Sequence, residues 1–133
     1  MRIVLANGVF DLYHYGHLRH LQAARKLGDA LYVSVTRDEF VRKGPGRPVF
    51  SLKQRMQVIA ELRCVDKVFP SVDALDALRT AKPAVFVKGA EYRNSLNPGH
   101  IEYCRANGIE IAFTDEPVYS STGLLKYYES RRG

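Results

Sequence analysis

The 133 residues are 46% hydrophobic, 26% charged and 11% aromatic, the length of one domain and a composition that excludes a disordered chain. Lys and Arg number 20 against 14 Asp and Glu, a net charge of +6. The basic residues are scattered among acids, which suits polyanionic small molecules and argues against a nucleic-acid-binding track.

Two cysteines, Cys64 and Cys104, without a CxxC pair, argue against a zinc ribbon, a thioredoxin-type motif and a disulfide scaffold; both read as packing residues. The longest apolar runs are a few residues, so no membrane span is expected. The apolar run that follows Arg2 is too short for a signal peptide, and the expected compartment is the cytoplasm.

In chain order, residues 2–6 form a short apolar run closed by Asn7-Gly8 and predict a buried strand. Between 17 and 27, Leu18, Leu21, Ala24 and Leu27 recur every three residues and predict a helix stopped by Gly28. Residues 30–36, rich in Leu, Tyr and Val, predict a second strand. Lys43-Gly44-Pro45-Gly46-Arg47-Pro48 makes 37–50 an irregular loop. Ser51 and Gln54 have capping-box spacing for a helix burying Leu52, Met56, Ile59 and Ala60. A strand at 65–69, a helix at 72–80 and a strand at 84–87 follow. Asn97-Pro98 opens a helix reaching Ala106, residues 109–113 predict a fifth strand, and Ser120 or Ser121 caps a last helix.

Five strands alternating with five helices predict a single α/β domain over 1–133. It is Rossmann-like, with a five-stranded parallel sheet and helices on both faces. Ligands of such sheets sit beyond the carboxyl ends of the strands, near the point where strand order reverses.

The first strand is followed by Asn7-Gly8-Val9-Phe10-Asp11-Leu12-Tyr13-His14-Tyr15-Gly16-His17. His14 is expected to precede the helix and His17 to open it, where free N–H groups and the helix dipole favour phosphate. Two imidazoles there can donate to phosphate oxygens. Zinc on His14, His17 and His20 is disfavoured, since each step of three falls about 60° behind a full helical turn and no cysteine is near. His20 reads as a surface or packing residue. GxxxxGK[ST], GxGxxG and GxSxG are absent, which argues against a P-loop NTPase, a dinucleotide-binding fold and an α/β-hydrolase.

Gly8-Val9-Phe10-Asp11 with His14-Tyr15-Gly16-His17 resembles the GxFDxxHxGH signature of the cytidylyltransferase-like nucleotidyltransferases, over nearly the whole chain. Lys43 to Val49, Gln54-Arg55-Met56, Val65-Asp66 and Val87-Lys88-Gly89-Ala90-Glu91-Tyr92 are most similar to the adenylyltransferase domain of bifunctional ADP-heptose synthases. Glycerol-3-phosphate and ethanolamine-phosphate cytidylyltransferases are more distant, and archaeal-type FAD synthetases share mainly the first motif.

The resemblance implies a Mg²⁺-dependent enzyme in which the phosphate of an acceptor attacks the α-phosphorus of a nucleoside triphosphate and pyrophosphate leaves. ATP with a sugar phosphate is the first choice. CTP with glycerol 3-phosphate or a similar alcohol phosphate is the alternative, and a nucleotide-binding module without turnover a third reading. By the resemblance, His14 and His17 hold the α-phosphate and the β-phosphate bridge, Lys43 closes over the phosphates, and Arg55 contacts the triphosphate. Gly8, Val9 and Phe10 hold the nucleotide, and Asp11 orders the loop or a bound cation. Lys88, Gly89 and Glu91 line the site, with Glu91 where relatives carry Asp. Tyr119, Ser120, Ser121 and Thr122 bind the outer phosphates. Asp115-Glu116-Pro117-Val118 replaces the Arg-Thr-x-Gly of the cytidylyltransferases, which speaks against CTP. A homodimer is expected because relatives commonly form one.

Overall fold

Alternation along the strands decides which helix covers which side of the sheet. The computed structural model describes residues 1–115, so the predicted last helix lies outside the described residues. In β1 (Ile3–Gly8), Val4 and Ala6 face one side and Leu5 the other. The same split separates Val85 and Val87 from Phe86 in β4 (Val85–Gly89). The first face packs against Leu21 and Ala24 of α1 (Tyr15–Arg25) and Ile59 of α2 (Leu52–Ala60). The second packs against Ala74, Ala77 and Leu78 of α3 (Ala74–Ala81) and Cys104 of α4 (Pro98–Ala106).

With β2 (Ala30–Thr36), β3 (Lys67–Ser71) and β5 (Glu110–Thr114), the strands form one parallel sheet in the order β3-β2-β1-β4-β5. Strand order reverses between β1 and β4, which opens the crevice where such sheets bind ligands. All five strands and the first four helices stand where the sequence places them, with ends displaced. The third strand is two residues later than expected. Val65 and Asp66 close a turn, Val65 N–H donating to Leu62 and Asp66 N–H to Leu31. Pro70 is tolerated because β3 is an edge strand. Gly28 has no room for a side chain: a Cβ would stand 2.5 Å from the Arg2 carbonyl oxygen. No helix among the described residues is long and apolar enough to cross a membrane.

Candidate active site

The turn from β1 to α1 is built on two left-handed residues that are not glycine, Phe10 (φ 53°) and Leu12 (φ 52°). Each costs about 1–2 kcal/mol in backbone strain. Packing holds Phe10 there. Its buried ring lies over Gly8, where a Cβ would come within 2.9 Å of it, and meets the His17 ring edge-on at 5.5 Å. Tyr13 stacks on His17 at 5.4 Å. Burial foremost, with the nearby Cys64, pushes its phenol up to about 12.

The helix opens at Tyr15, two residues earlier than expected, so His14 is its N-cap and His17 its third residue. His14 Nδ1 accepts the Gly16 N–H at 3.0 Å, and His17 Nδ1 accepts the His14 N–H at 3.1 Å. This is a capping box made by two imidazoles. The rings stack at 3.9 Å. Because each Nδ1 accepts a backbone N–H, the hydrogen-bond network assigns the ring proton to Nε2 in both, making each a neutral donor. Burial pushes His17 down to about 4, helped by the charges of His14, His20 and Lys43; burial likewise lowers His14.

Asp11, expected to order the loop or a cation, orders the loop. Its carboxylate accepts the Val49 and Phe50 N–H groups (2.8 and 3.0 Å) and pairs with Arg47 Nε at 2.8 Å. Burial pushes this carboxyl up, but those two N–H groups and the Arg47 guanidinium together hold it below its ordinary value. Arg47 Nη2 is buried with no hydrogen-bond partner among the described residues. Lys43 is exposed and lies within electrostatic reach of His17.

Arg55 stands differently from expectation. It is 2% exposed, and its N–H groups donate to the carbonyls of Phe50 (3.0 Å), Val9 (2.8 Å) and Thr36 (2.8 Å) and to Asp38 (2.5 Å). The fork that suits a phosphate here ties α2 to the ends of β1 and β2, leaving one of its five N–H groups outside these bonds. In this conformation Arg55 is a positioning residue.

Across the crevice, Lys88 stands at the end of β4 with Nζ 4.3 Å from the Tyr92 ring centroid. Burial lowers it, and Glu91 opposes the shift. The Glu91 carboxylate curls back into the space a Cβ on Gly89 would fill, which is what the arm longer than Asp permits. His20 is more than a packing residue, because its Nδ1 bonds Thr114 Oγ1 at 2.9 Å and so ties α1 to the end of β5.

His14, His17, Gly8, Val9, Phe10, Asp11 and Lys43 thus gather about the first crossover, and Lys88, Gly89 and Glu91 at the end of β4. Tyr119, Ser120, Ser121 and Thr122 lie outside the described residues. Arg47 and His20 were legible only as a loop cation and a third histidine, since their partners lie far off in sequence.

A strained strand-to-helix turn presents two stacked imidazoles at the switch point of the parallel sheet, and the cytidylyltransferase-like family model matches residues 5–122. The chain belongs to that family. It is 42% identical over 86% of its length to the bifunctional protein HldE of Alcanivorax borkumensis, and 40% identical over 99% to that of Vibrio cholerae. It spans 25% and 29% of those relatives, about a quarter of their length. The lipopolysaccharide core biosynthesis protein from Thermoplasma volcanium is 30% identical with a TM-score of 0.75, covering 89% of this chain and 99% of that one. A pantoate-beta-alanine ligase from Francisella tularensis shares the fold alone, at 17% identity and a TM-score of 0.64 over 99% of this chain and 72% of that one.

Proposed function

We propose that this chain transfers a nucleotidyl group from ATP to a sugar 1-phosphate of the heptose type and releases pyrophosphate. The observation that carries the reading is the stacked imidazole pair, whose Nδ1 atoms accept backbone N–H groups and so make Nε2–H the ring donor of each; donors of that kind suit the charge that develops on phosphates. An acceptor phosphate oxygen bonds to the α-phosphorus, the bond from that phosphorus to the β-phosphate bridge breaks, and the electron pair leaves with pyrophosphate. His14 and His17 donate to the phosphate oxygens, while Lys43 and the buried Arg47 Nη2 supply positive charge from the loop. No covalent intermediate is needed, so positioning and electrostatics carry the catalysis.

Mg²⁺ belongs to this reading as part of the substrate, carried on the triphosphate oxygens. Among the described residues no cluster of three or more His, Cys, Asp or Glu is arranged to hold an ion, and Mg²⁺ commonly rides on substrate phosphates. The homodimer and the cytoplasmic setting remain part of the same proposal. Similarity to HldE and to the ADP-heptose synthase pattern supports the acceptor, and Asp115 to Val118 in place of Arg-Thr-x-Gly supports ATP.

Pyrophosphate release tests it, with ATP or CTP against heptose 1-phosphate or glycerol 3-phosphate. ATP with heptose 1-phosphate is expected to turn over fastest. CTP with glycerol 3-phosphate as the best pair would replace this reading by the cytidylyltransferase one, and nucleotide binding without turnover would make the chain a binding module.

A further inference from the structure

One row of side chains on the second face is not used by the site described so far. Ala6 pairs with Val87, so the next residues, Asn7 and Lys88, are neighbours on the second face; Asn7 pairs with Ser34, and Lys88 with Phe113. The row beneath is Tyr32, Leu5, Phe86 and Ile111, part of the apolar core under α3 and α4. On the two central strands polarity therefore changes in a single step, from Leu5 and Phe86 to Asn7 and Lys88, while Phe69 and Phe113 flank that row on the outer strands.

The polar row is built to hold one group. Ser34 is 0% exposed and Ser71 1%, and both hydroxyls donate to Asn7 Oδ1, at 2.6 and 3.3 Å. Two buried donors on one acceptor fix the amide, with Oδ1 toward the serines and the two Nδ2 N–H groups away from them. Beside it, the His100 ring meets Phe86 edge-on at 6.2 Å, and Lys88 Nζ stands 5.7 Å from the same ring. Asp73, the N-cap of α3, and Lys88 both act on the charge of His100. Asn7 and Lys88 thus end neighbouring strands on the second face, with His100 of α4 against Phe86 and Asp73 at the start of α3 within electrostatic reach of His100. His14 and His17 stand on the other side of the sheet edge, at the start of α1.

That placement matches the needs of the reaction. In-line displacement sets the attacking oxygen and the departing pyrophosphate on opposite sides of the α-phosphorus. In the reading above His14 and His17 hold the bridge to the departing pyrophosphate at the start of α1, which leaves the second face for the acceptor. An uncharged amide with two donors, an imidazole and a carboxylate suit sugar hydroxyls, and an ammonium suits the phosphate those hydroxyls accompany.

We propose that Asn7, held by Ser34 and Ser71, forms with His100 a subsite for the hydroxyl-bearing end of a phosphorylated polyhydroxy acceptor, Lys88 standing at its junction with the nucleotide site. The inference rests on the nucleotidyl-transfer reading and names residues that decide the acceptor.

The test is a split of Michaelis constants by pyrophosphate release, varying ATP and heptose 1-phosphate in turn. Asn7→Ala is expected to raise KM for heptose 1-phosphate roughly tenfold, as a lost hydrogen bond does, with KM for ATP unchanged. His100→Leu moves the same constant. Ser71→Ala, which loosens the amide while Ser34 still holds it, gives a smaller rise in the same direction. A rise in KM for ATP alone would assign the row to the nucleotide, and unchanged constants would make it structural; either overturns the subsite. Should Asn7→Ala not fold, Ser71→Ala and His100→Leu decide. Should the wild-type protein turn over no pair, the functional reading fails on its own. Calorimetric binding of heptose 1-phosphate to wild type and His100→Leu then judges the subsite, equal or absent affinity overturning it.

Discussion

The ring of His17 caps the backbone N–H of His14, while the ring of His14 caps that of Gly16. Two groups expected to act on substrate therefore also start the helix that carries them, and the backbone chooses their tautomer. Both rings of the free protein are expected to be Nε2-protonated and neutral at pH 7, with the His17 midpoint near 4. An unfolded histidine titrates near 6.5, so the unfolded chain takes up the proton first as pH falls. The His17 contribution to stability is full above about 6.5, declines as pH drops, and is lost by about 4. Long-range ¹H–¹⁵N spectra across pH check this; an Nδ1-protonated tautomer or a His17 midpoint near 6.5 would contradict it.

Capping and chemistry separate by substitution. His17→Gln places at the third helical position a side chain that serves a capping box but has no imidazole Nε2–H. Thermal stability is expected to stay near wild type while kcat falls 10²–10³-fold, the loss of one oriented donor. His17→Ala loses the cap as well, at about 1 kcal/mol. Melting curves beside pyrophosphate release distinguish the two, and a His17→Gln enzyme with full activity would remove His17 from the mechanism.

Arg55 is the largest fully buried side chain among the described residues, and it closes α2 onto the Val9 and Thr36 carbonyls. Arg55→Met keeps much of the volume but strands those acceptors, at a cost of roughly 3 kcal/mol in urea unfolding. Asp38→Asn touches a half-exposed partner and should cost under about 1 kcal/mol. Equal, small losses in both would show that the carbonyl contacts do not anchor the helix.

Asp11→Asn tests the loop. The Asp11 carboxylate is held below its ordinary pKa, so its contribution is present at neutral pH and disappears as pH falls through the lowered value. Removing the charge releases Arg47 and weakens two N–H bonds. Cleavage by trypsin after Arg42 or Lys43 is expected to quicken severalfold at pH 7, with α1 and the sheet still folded by circular dichroism. Unchanged cleavage would mean that the loop is held by something else.

Legibility followed sequence distance. The β2 strand is plain because its Leu, Tyr and Val suit a strand covered on both faces, and the Ser51 box because Ser and Gln are ordinary capping residues. The equivalent box at His14 is weaker in the sequence, where capping is only one reading of the histidine cluster, since imidazole is not among the preferred N-caps. The resemblance implies a triphosphate contact for Arg55, and nothing local in the sequence points to its carbonyl acceptors, which lie 46 and 19 residues away. The Asp11–Arg47 pair spans 36 residues. Such partners exist only once the parallel sheet has set β1 beside β2.

His20 provides the last test. Thr114 is 5% exposed, and its hydroxyl bonds the His20 ring, joining the helix of the imidazole pair to the strand that leads toward Tyr119 to Thr122. His20→Leu leaves that hydroxyl buried and unpaired, which costs about 1–3 kcal/mol. Thr114→Val removes the other partner, and the double variant, with neither polar group left, is expected to recover roughly 1 kcal/mol relative to the sum of the singles. Urea unfolding of the four proteins measures that coupling. Strict additivity would mean that the bond contributes nothing, and that α1 is seated against β5 by its apolar contacts alone.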